Sequence, residues 1–78
     1  MENLVESNPK IMFGKPVIKG TRITVELILG KIADGETVDA ILSSYPHLTR
    51  EQVLACVDYA RQSLSLETVY PMATVWKS

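Results

Sequence analysis

The single histidine and the single cysteine are the side chains of this 78-residue sequence best suited to acid–base or nucleophilic chemistry. His47 lies between Pro46 and Leu48, which is typical of a turn residue, and no nucleophile with an orienting carboxylate accompanies it. One candidate base without partners does not make a catalytic site. Cys56 lies close to an apolar helical stripe, which predicts a buried, inert thiol. We therefore expect no catalysis, no cofactor and no metal site. An enzyme that uses His47 is an alternative, and His47 is the only residue that supports it.

Cations are concentrated between Lys10 and Arg22, a segment with no acidic residue in a chain whose net charge is −1. Lys15, Lys19 and Arg22 could contact a phosphate backbone, which would make binding to nucleic acid depend on salt. They could also be charges on an edge strand that prevent aggregation between sheets. Since the net charge is near zero, bulk electrostatics alone are not expected to hold the protein on nucleic acid.

A second group of polar residues surrounds the start of a predicted helix. Thr49 and Gln52 have the spacing of a capping box, and Leu48 and Val53 have that of a hydrophobic staple. Arg50 and Gln52 are residue types that read guanine and adenine in the major groove. The connection over residues 45–48 has the length used in helix-turn-helix motifs, whose second helix enters that groove. The residues predicted to bind DNA are Lys15, Lys19, Arg22, His47, Thr49, Arg50 and Gln52.

Three helices must position these side chains, and apolar periodicity with capping residues predicts them. Thr24 and Thr37 are expected to cap the first two, Gly35 ends the first in a left-handed conformation, and Pro46 ends the second. The predicted ranges are about 25–34, 38–44 and 50 to 64 or 66. The third helix is expected to turn Val53, Val57, Ala60 and Leu64 towards the core.

A short β-hairpin is predicted before the first helix. Gly20 at the first central position of a two-residue loop suits a type II′ turn, with strands over 16–19 and 22–24. Strands this short are marginal alone, so a second copy is the expected supplier of another strand. The run 11–13 is the alternative dimer strand. The residues predicted for the dimer contact are Val17, Ile18 and Ile23. The predicted fold class is therefore mainly α: a three-helix, winged-helix-like helix-turn-helix domain with an N-terminal β-hairpin.

The chain is predicted to divide into a domain over residues 1–66 and a C-terminal tail over 67–78. A domain this small has a limited core, and one cysteine excludes an internal disulfide, so oligomerisation is expected. The tail is apolar and either folds back over the core or becomes ordered on a partner protein. Its predicted partner-binding residues are Tyr70, Met72, Val75 and Trp76. No signal peptide or membrane span is recognisable, which predicts a cytoplasmic location without membrane contact.

The residues 14–23, with the sequence Gly-Lys-Pro-Val-Ile-Lys-Gly-Thr-Arg-Ile, and the run Tyr-Pro-His-Leu-Thr at 45–49 resemble the prokaryotic family catalogued as domain of unknown function 433. The resemblance spans roughly residues 8–60. That family is similar to type II antitoxins of the VapB kind. The similarity implies a DNA-binding dimer that represses its own operon and inhibits a neighbouring toxin, commonly a PIN-like ribonuclease. Phe13, Lys19 and Thr24 depart from the family pattern, and the tail lies outside it.

The sequence is therefore interpreted as an antitoxin-like, non-enzymatic homodimer that binds operator DNA and a cognate toxin. Its tail would mask the toxin. The alternative is a helical adaptor that binds proteins and not nucleic acid, which the near-neutral charge and the acids Glu51 and Asp58 on the third helix favour.

Overall fold

One apolar core receives side chains from every helix and strand of the computed structural model, which describes residues 3–65. The strands are β1 (Val5–Glu6) and β2 (Val17–Ile18). The helices are α1 (Val25–Ala33), α2 (Val38–Ser44) and α3 (Arg50–Ser65). The predicted tail residues Tyr70, Met72, Val75 and Trp76, and the boundary at residue 66, lie outside the described residues. The fully buried side chains are Val17, Ile18, Ile28, Ile41, Val53 and Cys56, and all of these except Val17 belong to the core cluster.

The predicted fold class is confirmed, because three helices follow a short antiparallel strand pair. Thr24 Oγ1 accepts the Leu27 N–H at 3.0 Å, and Thr37 Oγ1 accepts the Ala40 N–H at 3.1 Å. Both threonines therefore satisfy backbone donors that a helix start leaves free. Gly35 has a φ of +96°, the left-handed conformation expected after α1.

The predicted hairpin is present in part, because the Ile18 N–H donates to the Ile23 carbonyl at 2.9 Å, but a further strand joins it. β1 pairs with β2 through Val5 opposite Ile18, and Val17 forms a bridge to Thr24 on its other side. The N-terminal segment of the same chain thus supplies the strand that was expected from a second copy. The turn also differs, since the Thr21 N–H donates to the Ile18 carbonyl at 2.9 Å. Gly20, with a φ of +81°, is therefore the second central residue of the turn and not the first.

The run 11–13, which was predicted as an alternative dimer strand, instead forms a tight 3-10 turn over Met12–Gly14. Met12 and Phe13 have φ values of +50° and +59°, which bulky L-residues rarely adopt. The Gly14 N–H donates to the Ile11 carbonyl at 3.0 Å, which closes the turn. The strand prediction is wrong here because the chain reverses direction, and the reversal leaves Phe13 96% exposed.

Candidate nucleic-acid interface

A capping box holds the start of α3, as predicted. The Thr49 N–H donates to Gln52 Oε1 at 2.8 Å, and the Gln52 N–H donates to Thr49 Oγ1 at 3.2 Å. Leu48 and Val53 are both buried, as a hydrophobic staple requires. Two capping hydrogen bonds thus fix where α3 begins, and the side-chain oxygen of Gln52 is already engaged in one of them.

Arg50 forms an ion pair with Asp39, the acidic residue in the first turn of α2. The pair connects the two helices across eleven positions of sequence. Both side chains are exposed, and exposed pairs contribute only about 0–1 kcal/mol. Arg50 is therefore accessible, but a nucleic acid would have to displace Asp39 to use its charge.

The cations of the acid-free segment lie in two different environments. Lys15 Nζ is 3.2 Å from Glu26 Oε1 at the start of α1. Lys19 and Arg22 are exposed in the turn between β2 and α1, and neither has an acidic partner within the described residues 3–65. The turn is attached to β1 because the Lys19 N–H donates to the Leu4 carbonyl at 2.8 Å.

An open groove lies between β1 and α3. Leu4, which holds the Lys19 backbone, lines it together with Thr49 and Gln52. The carboxylates of Glu51 and Asp58 also line it, and they oppose phosphate. The α3 start and β1 thus border this groove, whose α3 wall carries negative charge. The basic turn does not line it and is connected to it through the bond from Lys19 to Leu4.

The Asp58 carboxylate stays ionised at neutral pH. Its pKa lies below the usual range because Arg61 and Gln62 donate hydrogen bonds to it. The distances are 3.0 Å from Arg61 Nε to Oδ1 and 2.6 Å from Gln62 Nε2 to Oδ2. A polyanion would consequently meet a fixed negative charge on this part of α3.

His47 and the residues predicted for the dimer contact lie in contrasting positions. His47 is exposed in the α2–α3 connection, where it is available to a partner. Val17 and Ile18 are fully buried, and Ile23 packs partly buried against the core. The dimer contact at these residues stays a prediction. Because their side chains already fill the core, a second copy would have to bind the backbone of this segment or another surface.

One face of α3 was assigned wrongly from the sequence. Val57 and Leu64 are exposed, whereas Val53 and Cys56 are the helix residues that enter the core. The helix is apolar on two faces, and periodicity alone does not say which face packs inward. Leu54 is exposed as well.

Most of this architecture matches a known protein family. A family model described as protein of unknown function (DUF433) matches residues 5–60, from β1 through most of α3. The chain belongs to the DUF433 family. The resemblance seen in the motif at residues 14–23 and in the run at 45–49 is thereby confirmed.

Two relatives share this domain and differ in how much of their own length it covers. The uncharacterized protein y4eO of Sinorhizobium fredii is 35% identical over 57 residues, which are 73% of this chain and 26% of that protein. The crystal structure of a DUF433 member protein from Anabaena variabilis, at 2.00 Å resolution, is 28% identical with a TM-score of 0.76. That likeness covers 82% of this chain and 63% of the Anabaena chain. This DUF433 chain thus spans about a quarter of the y4eO protein.

Among residues 3–65 of the DUF433 chain, no three His, Cys, Asp or Glu side chains are grouped as they would be to bind a metal ion. None of the described helices has the length and apolar character needed to cross a membrane.

Cys56 is expected to make stability depend on pH in the alkaline range. The thiol is buried, and burial raises its pKa to about 11. An unfolded chain loses this proton from its ordinary pKa of 9.0 upward, so the free energy of unfolding should fall as pH rises from about 9 to about 11. Urea titrations of wild type and Cys56→Ala across this range measure the effect. The variant should lose less stability than wild type, and parallel curves for the two proteins would contradict the assignment.

Proposed function

We propose that this DUF433 chain is an antitoxin-like protein that binds operator DNA and a cognate toxin and has no catalytic role. The observation that carries the DNA-binding half is the position of the exposed Lys19–Arg22 turn. Its backbone is bonded through Lys19 to Leu4, and Leu4 lines the groove that the capped start of α3 also lines. A cationic turn and an exposed helix start in one small domain offer phosphate contacts and a reading element together.

In this proposal, Lys19 and Arg22 contact the DNA backbone. Arg50 leaves its ion pair with Asp39 and contacts a base edge instead. The exchange is inexpensive, because an exposed pair contributes only about 0–1 kcal/mol. Gln52 does not read adenine with both amide atoms, since that would break its hydrogen bond with the Thr49 N–H. Its amide nitrogen stays free to donate, and His47 lies just before the α3 start.

The toxin-binding half rests on the family resemblance to type II antitoxins and on the composition of the tail. Tyr70, Met72, Val75 and Trp76 place aromatic and apolar anchors in residues 67–78. Aromatic side chains dominate the energy of many protein interfaces. In this proposal the tail covers a surface of the toxin, which the resemblance implies is a PIN-like ribonuclease encoded beside this gene.

A titration onto the DNA upstream of the protein's own gene tests the DNA-binding half. The full chain, alone and with the product of the neighbouring gene, is added to that duplex and to a shuffled duplex of equal composition. We expect tighter binding to the native duplex, and the two phosphate contacts predict a loss of roughly 12-fold in affinity between about 50 and 200 mM salt. Equal affinity for both duplexes, with and without the neighbouring protein, would overturn the repressor role.

An adaptor that binds proteins alone is the second candidate, and the groove itself favours it. Glu51 and Asp58 on the groove wall repel phosphate, while Leu54 and Tyr59 give the same wall an apolar surface. Arg50→Ala separates the two functions. Loss of operator binding with intact binding of the neighbouring protein supports the antitoxin, whereas no effect on either supports the adaptor.

A further inference from the structure

One exposed side of α3, which shares Leu54 with the wall of the groove, carries an apolar stripe that is unpartnered in the described chain. Leu54, Val57 and Leu64 are 50%, 41% and 67% exposed. With 3.6 residues per turn, positions 54, 57, 61 and 64 fall on one side of the helix, and Arg61 occupies the remaining one. We call these four residues the α3 stripe. Exposed apolar residues aligned along several helical turns mark an interaction surface more strongly than scattered ones do.

The α3 stripe is complementary to itself in one orientation. When two copies of α3 run antiparallel about residue 59, Leu54 of each copy lies opposite Leu64 of the other. Val57 then lies opposite Arg61, so each valine meets the aliphatic stem of an arginine. A twofold interface requires this property, because residue i must meet residue j and residue j must meet residue i.

The charges beside the stripe favour the same antiparallel orientation. Within one chain, Arg61 Nη2 is 2.9 Å from Asp58 Oδ1, and both side chains are exposed. In the antiparallel pair, Arg61 covers Val57 of the second copy with its aliphatic stem and reaches the neighbouring Asp58 with its guanidinium group. A parallel pair would place the two Arg61 side chains opposite each other, which is unfavourable.

We infer that the occupant of the α3 stripe is a second copy of this chain, in an antiparallel α3–α3 homodimer. This interface goes beyond the proposed function and holds whether or not the protein binds DNA. It differs from the dimer predicted at Val17 and Ile18, whose side chains already lie in the core. It would also relieve the limited core of a small domain, for which oligomerisation is a common remedy.

The mass of the full chain in solution tests the proposal. Sedimentation equilibrium from about 1 to 100 μM should show twice the chain mass of 8.7 kDa. Leu54→Glu and Leu64→Glu should each weaken the dimer at least tenfold, because a carboxylate would be buried against a leucine. Leu27→Glu is the matched control, since Leu27 is a comparably exposed leucine on α1, and it should leave the dimer intact. Circular dichroism establishes that each variant is folded.

A wild-type chain that is monomeric at 100 μM, whether its stripe is free or covered by its own tail, would overturn the inference. So would a dimer that survives Leu54→Glu and Leu64→Glu in a folded protein, since another surface would then carry it.

Oxidative crosslinking tests the orientation in a Cys56→Ala background. Leu54→Cys combined with Leu64→Cys should give a covalent dimer. Leu54→Cys alone should not, because antiparallel helices separate the two copies of position 54 by about 15 Å along the axis. A disulfide requires Cα atoms within about 7 Å. Efficient crosslinking by Leu54→Cys alone would indicate a parallel pair and refute the antiparallel arrangement.

Discussion

Replacing Ile28 by alanine is expected to lower the free energy of unfolding by about 2–5 kcal/mol, the cost of emptying a well-packed core position. Ile28 is fully buried and packs in the core cluster that all helices and strands share. The core of a chain this small supplies only roughly 3–5 kcal/mol, so the loss takes most of the stability. Urea unfolding followed by circular dichroism should show a midpoint close to zero denaturant, or a largely unfolded chain.

Leu27→Ala is the matched control for this prediction. Leu27 precedes Ile28 on the same helix but is 42% exposed, so its truncation leaves no closed cavity. Alanine is also the best helix former, which excludes a loss of helix propensity as the cause in either variant. We expect a loss below about 1 kcal/mol for this surface position. Equal losses for the two variants would mean that α1 does not turn Ile28 into the core.

Replacing Lys19 and Arg22 together by alanine is expected to weaken binding to the native promoter duplex about tenfold or more at low salt. Each phosphate contact contributes about 0.9 to the slope of log affinity against log salt, so the double variant should reduce that slope by about 1.8. Both side chains are exposed in the turn and lack acidic partners among residues 3–65, so the free energy of unfolding should change little. Fluorescence anisotropy at several salt concentrations measures affinity and slope together.

Lys10→Ala provides the control for charge alone. Lys10 belongs to the same acid-free segment but lies in the connection between β1 and β2, and its backbone N–H is bonded to Asn8 Oδ1 at 2.9 Å. This variant should keep both the affinity and the slope. If it reduces them as much as the double variant does per charge removed, binding is diffuse attraction to the segment. If neither protein differs from wild type, the turn is no DNA contact.

Several features of this DUF433 chain followed from the sequence because they depend on near neighbours. Thr24, Thr37 and the pair Thr49 and Gln52 cap helices through hydrogen bonds that span three residues. Gly35 ends α1 because the required positive φ suits a residue without a side chain. The chain itself keeps such groups close in space, so their residue types and spacing suffice to predict the three helices and the helix-turn-helix connection.

The ion pairs and the strand pairing depended on residues that are far apart in the sequence. Arg50 meets Asp39 and Lys15 meets Glu26, each eleven positions away, and both encounters reduce the charge that the sequence had offered to DNA. β1 pairs with β2 only after the chain reverses through the turn at Met12–Gly14.

The candidate interfaces also combine features that the sequence predicts with features that tertiary packing decides. Residue types identified the basic segment and the α3 start, but tertiary packing decided that the α3 start lines a groove with β1 and that the basic turn is bonded to Leu4 of that groove. α3 has more apolar residues than one face can bury, and packing against α1, α2 and β1 selected Val53 and Cys56 for the core. Sequence by itself determined the helices and their caps, because these arise from local hydrogen bonds. Only the tertiary structure determined which charges are paired among residues 3–65 and that the α3 stripe is exposed, because those properties depend on residues far apart in the chain.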